Sequence, residues 1–98
     1  MSVLIQTFVP GMTSAQYDEA TSALTPLMEH FDGFLGFHTA AVVDGGLQIT
    51  ELWKTSEAHA TWIKEVVSTK VPAPALSAMK TTVMPLHNVV LAGSSIHA

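Results

Sequence analysis

The tripeptide Asp44-Gly45-Gly46 constrains this chain more than any other feature. It separates two runs of β-forming residues, roughly Phe37 to Val43 and Leu47 to Trp53, and so predicts a tight antiparallel hairpin between a second and a third strand. The segments on either side must be arranged around that hairpin. Ahead of it, Val3 to Phe8 reads as a first strand that stops at Pro10-Gly11. Thr13 has the look of a helix N-cap. Gln16 three residues on completes a capping box, and Met12 with Tyr17 has the spacing of a hydrophobic staple. Tyr17, Ala20, Leu24, Leu27 or Met28, and Phe31 then recur at helical spacing. Pro26 falls inside this pattern and predicts a kink or break, because it deletes a ladder bond and crowds the carbonyl of Ser22.

Beyond the hairpin, Ser56 or Thr55 caps a second helix, with Glu57 favourably placed in its first turn. Ala58, Trp62, Ile63, Val66 and Val67 supply its buried side, and Pro72 and Pro74 end it. A short helical turn through Leu76 and Met79 follows, then a last strand from Met84 to Leu91. Pro85 cannot donate to a ladder, so that strand belongs at a sheet edge. Residues 92 to 98 read as a loose tail. The order is β-α-β-β-α-(α)-β, the split βαβ pattern of ferredoxin-like α+β folds, with both helices on one face of a four-stranded antiparallel sheet. One such domain accounts for residues 1–98.

Composition adds a second constraint. Hydrophobic residues make up 48% of the chain and charged ones 12%, with a mean hydropathy of +0.36. Ala40 and Val42 oppose Phe37, Ala41 and Val43 across the second strand, and Val89 and Leu91 oppose Leu86 and Val90 across the last. Both sheet faces then read as apolar, while one chain has helices for only one of them. A second copy is the simplest cover, so a homodimer is expected.

The formal net charge of −4, with four Lys and Arg in all, provides no basic stripe for nucleic acid and no attraction to an anionic membrane. No apolar run approaches the roughly 20 residues needed to span a bilayer. Met1 to Gln6 lacks the basic region and cleavage signature of a signal peptide, so a cytoplasmic location is expected. Without cysteine there are no disulfides and no thiolate chemistry.

Two segments resemble a known family. Val9-Pro10-Gly11-Met12-Thr13, leading into Gln16-Tyr17-Asp18, lies where that family turns from its first strand into its first helix. Glu51-Leu52-Trp53-Lys54-Thr55-Ser56-Glu57-Ala58 is similar to its Glu-x-Trp strand followed by a capped helix. The chain resembles, from Val3 to Leu91, the antibiotic-biosynthesis-monooxygenase-like proteins of the dimeric α+β barrel superfamily. The resemblance implies two sheets facing one another as a barrel with a ligand cavity. Members include cofactor-independent oxygenases of polycyclic aromatic substrates and haem-degrading enzymes. The family's strand tryptophan lines the cavity in several members, and Trp53 matches it. The oxygenases often carry an asparagine on an early strand, where this chain has Gln6 and Thr7. Its sole asparagine, Asn88, falls on the expected last strand. Trp53, Gln6 and Asn88 are the expected substrate-binding residues.

The hairpin register decides whether polar groups converge. A two-residue loop, either Asp44-Gly45 or Gly45-Gly46, puts His38 on the same face as Glu51 and Trp53. A three-residue loop with a bulge puts it on the opposite face. On the first register His38 beside Glu51 can act as an acid or base, with Trp53 as a wall for a planar ligand. The plain alternatives are a satisfied polar pair at a sheet end and a tryptophan of the core or interface. His87, embedded in an apolar run, is the second candidate acid or base. His30 and His59 read as surface residues and His97 as part of the tail. No metal-ligand spacing, dinucleotide loop or serine elbow is present, so no metal and no cofactor are expected. The expected function is an enzyme acting on a small, apolar, aromatic molecule, with His38, His87 and Glu51 as its catalytic groups. The alternatives are a module that binds a hydrophobic ligand or a protein partner, and a haem protein with His59 or His87 as axial ligand.

Overall fold

A computed structural model describes residues 2–91 and 94–96 of the 98. Strand β1, Val3–Pro10, leads into helix α1, Ser14–Met28. Thr13 caps α1 as expected: Gln16 N–H donates to Thr13 Oγ1 at 3.2 Å, and Thr13 N–H donates to Gln16 Oε1 at 3.0 Å. The break expected at Pro26 does not occur. Pro26 lies in the last turn, and the helix carries on through Met28. Pro26 costs the helix a single ladder bond, to the Ser22 carbonyl, and the ladder closes again where Glu29 N–H donates to Thr25 O at 3.1 Å.

Strand β2, Phe34–Val43, and strand β3, Gly46–Trp53, form the hairpin. Val43 pairs with Gly46, so the loop is Asp44-Gly45. Gly45 takes φ +85°, and a Cβ on Gly46 would stand 2.2 Å from the Val9 carbonyl oxygen. Only glycine permits that approach of β1 to the turn. Helix α2, Ser56–Glu65, begins at Thr55, whose hydroxyl accepts from Ala58 N–H at 3.1 Å. A 3₁₀ turn at Val67–Thr69 and helix α3, Ala73–Ala78, follow, then strand β4, Lys80–Pro85. The sheet is antiparallel throughout, in the order β2-β3-β1-β4. This is the ferredoxin-like arrangement. Among the described residues no helix is long and apolar enough to cross a membrane.

The last strand of the sheet lies earlier than the sequence reading places it. It runs Lys80–Pro85 instead of Met84 to Leu91, because the β-branched residues Thr81, Thr82 and Val83 already follow α3 directly. Pro85 is on an edge strand as expected, opposite Val3, and ends the ladder. Leu86 N–H makes one further bond, to Ser2 O at 2.9 Å. Val89–Leu91 instead forms strand β5, paired with β6, Ser94–Ile96, in a separate two-stranded sheet. Part of the expected tail is thus a strand; residues 92, 93, 97 and 98 lie outside the described residues.

Period two along the strands sorts the core. Val3, Ile5, Thr7 and Val9 face the helices, and Val3, Ile5 and Trp53 pack with Leu24, Met28, Trp62, Val67 and Val71. The opposite face is mixed, where a uniformly apolar one was expected. Leu4, Phe8, Leu52 and Met84 alternate there with Gln6, Gln48, Thr50 and Thr82, paired across neighbouring strands.

Candidate functional site

Between the helix-facing side of the sheet and α1 and α2 lies a cavity of about 330 Å³. That is within the range of small-molecule sites, about 300–1,000 Å³. Its wall is largely apolar, from residues such as Leu24, Ile49 and Trp62, and Tyr17, His38, Glu51 and His59 line it together.

The Asp44-Gly45 loop sets this cluster. It pairs His38 with Glu51, and Glu51 with Ile5 on the other side, so both side chains face the helices. Glu51 is 4% exposed, and each carboxylate oxygen has a donor. Oε2 lies 2.6 Å from His38 Nδ1. Oε1 accepts from Trp53 Nε1–H at 3.1 Å and lies 3.5 Å from His59 Nε2. A carboxylate only accepts, so His38 carries a proton on Nδ1. In the neutral ring, Nε2 then accepts from the Tyr17 hydroxyl, with which it makes a hydrogen bond. The result is a continuous chain: Tyr17 hydroxyl, His38 imidazole, Glu51 carboxylate.

Burial raises the pKa of Tyr17 above its ordinary value, and the negative charges of Glu51 and Asp18 push the same way. The phenol therefore keeps its proton near neutral pH. Burial lowers the pKa of His59 below the usual histidine value, against an opposing pull from Glu51. Both shifts favour the uncharged forms around a single buried carboxylate.

Of the residues singled out in the sequence, His38 and Glu51 come together on the cavity wall. The others do not join them. Trp53 is fully buried and does not line the cavity; it packs against Phe34, Trp62 and His59 and holds Glu51 from behind. His87 and Asn88 are exposed beyond the end of β4 and belong to neither sheet. Gln6 points to the opposite face of the sheet.

Two wall residues differ from the sequence expectation. Tyr17 belongs to the apolar stripe of α1, and its hydroxyl has no signature until the register of His38 is known. His59, expected at the surface, is buried. A spacing signal existed, since His59, Trp62, Ile63 and Val66 fall at i, i+3, i+4 and i+7 of one helical stripe. Among the described residues no group of three or more His, Cys, Asp or Glu is arranged to hold a metal ion.

No protein-family model matches the sequence, and no curated protein does. Solved structures do match. SnoaB, a cofactor-independent oxygenase from Streptomyces nogalater, superposes with a TM-score of 0.59 at 11% identity, over 91% of this chain and 95% of its own. A Deinococcus radiodurans protein proposed to be an antibiotic biosynthesis monooxygenase gives 0.63 at 15% identity, over 96% and 100%. A monooxygenase from the gene ActVA-Orf6 of Streptomyces coelicolor, solved with nanaomycin D, gives 0.59 at 19%, over 92% and 90%. The resemblance read from the two sequence segments is borne out at the level of fold.

Proposed function

We propose that this protein is a small-molecule enzyme of the antibiotic-biosynthesis-monooxygenase kind, acting in the cytoplasm on a planar aromatic substrate bound between sheet and helices. The observation that carries the proposal is the placement of His38 between the Tyr17 hydroxyl and a buried carboxylate, on the wall of an apolar cavity. An acidic C–H or O–H of the substrate lies against the Tyr17 oxygen. As the substrate proton moves to that oxygen, the phenol proton moves to His38 Nε2, and Glu51 stabilises the imidazolium. A free phenolate need not form, in keeping with the raised pKa of Tyr17. The substrate carbanion then reduces oxygen itself: an activated methylene and one O₂ give a carbonyl and one water, with no external reductant. The fold likeness to a cofactor-independent oxygenase supports this choice over an isomerase or cyclase using the same relay.

Oxygen uptake with anthrone, a tricyclic ketone with an activated methylene, tests the reading. Turnover should fall about 10²–10⁴-fold in His38→Gln and stay unchanged in His87→Gln, since His87 is exposed beyond β4. Equal rates in wild type and His38→Gln would sink the relay. Binding of aromatic probes without turnover would favour the ligand-binding module.

We propose in addition that the mixed sheet face is the contact between two copies. Leu4, Phe8, Leu52 and Met84 supply the apolar part of that face, and a stable pair needs about 800 Å² from each partner. Light scattering at micromolar concentration should give twice the 10.4 kDa chain mass; the monomer mass would overturn the dimer.

A further inference from the structure

We propose that the cavity selects uncharged, hydroxyl-bearing aromatic ligands and rejects carboxylates; this rests on the reading of the cavity as the substrate site. Its wall carries two carboxylates, buried Glu51 and Glu29, which is itself exposed. Among the described residues the wall has no lysine: Lys54, Lys64, Lys70 and Lys80, which account for all four basic residues of the chain, are exposed elsewhere. An anionic ligand would therefore bring a further negative charge into a low-dielectric space with no fixed cation to meet it. The histidines do not supply that cation: His38 Nδ1 is committed to Glu51 Oε2, and His59 Nε2 lies beside Oε1. Burial also holds His59 toward its neutral form.

Hydrogen-bonding capacity points the same way. The oxygens of Glu51 are occupied by His38, Trp53 and His59, whereas the Tyr17 oxygen, after donating to His38, still has lone pairs. That oxygen accepts a ligand hydroxyl and has nothing to offer a carboxylate, whose oxygens also only accept.

The test compares 2-naphthol with 2-naphthoate by isothermal titration calorimetry slightly above neutral pH, where an ordinary imidazole is uncharged. The naphthol should bind at least about ten-fold more tightly. Glu51→Gln should bring the two affinities close together, and Glu29→Gln should narrow the gap. Because Glu29 is exposed, its variant keeps the test open if Glu51→Gln does not fold. Equal or tighter naphthoate binding, no measurable naphthol binding, or an unchanged ratio in the folded variants would overturn the proposal. The measurement needs no turnover. Selectivity without oxygen uptake would leave this inference standing and remove the oxygenase, while uptake without selectivity would do the reverse.

Discussion

Glu51→Gln is expected to cut turnover by about 10²–10⁴-fold while the protein still folds. The substitution keeps the shape of the side chain and one acceptor oxygen. If that oxygen stays with the Trp53 N–H, now 3.1 Å from Oε1, the new amide group faces His38 Nδ1. An amide –NH₂ only donates, so Nδ1 must give up its proton and Nε2 must carry it. His38 then donates to the Tyr17 oxygen and can no longer take the phenol proton, so the relay runs backwards. The flipped amide is no better, because its –NH₂ would meet the Trp53 N–H. One donor is left unmatched either way, at a stability cost of about 1–3 kcal/mol.

Two readouts separate this from a merely structural effect. Nitrogen NMR of the histidine rings should report the tautomer of His38 changing from Nδ1–H to Nε2–H, and a thermal melt should remain cooperative. A variant with wild-type turnover, or one that loses turnover with the tautomer unchanged, would refute the role given to Glu51.

The sequence made much of this legible, and the gaps have physical causes. Capping chemistry at Thr13 and Thr55 and the glycine-rich turn specify local geometry that little else in the chain can override. Those signals located both helices and the hairpin. The hairpin in turn carried the His38–Glu51 pair, once the loop proved to hold two residues. The last strand was displaced because two β-like stretches, Lys80–Pro85 and Val89–Leu91, compete for one edge. Pairing with β1 decides between them, and that is a tertiary fact. Tyr17 and His59 escaped for a related reason. Each has an aromatic body that fits an apolar stripe, and what its polar tip meets depends on the element packed opposite.

Trp53 shows the same limit in the other direction, and Trp53→Ala has the largest stability effect expected here. The indole is 0% exposed. Its ring centre lies 5.4 Å from Phe34, 5.5 Å from His59, 6.1 Å from Phe31 and 6.2 Å from Trp62. Removing so large a buried ring costs about 3–5 kcal/mol, against a total stability of about 5–15 kcal/mol for a typical domain. The melting temperature should fall by about 4–8 °C per kcal/mol lost in a domain of this size. Trp53→Phe should cost less, because it keeps a ring among Phe31, Phe34 and Trp62 and gives up chiefly the N–H that serves Glu51. If Trp53 were instead a wall for the ligand, the alanine variant would enlarge the cavity and weaken binding of aromatic probes while melting close to wild type. Denaturation curves for both variants decide the matter: a Trp53→Ala protein that melts within a few degrees of wild type would return this tryptophan to the binding site and remove it from the support of Glu51.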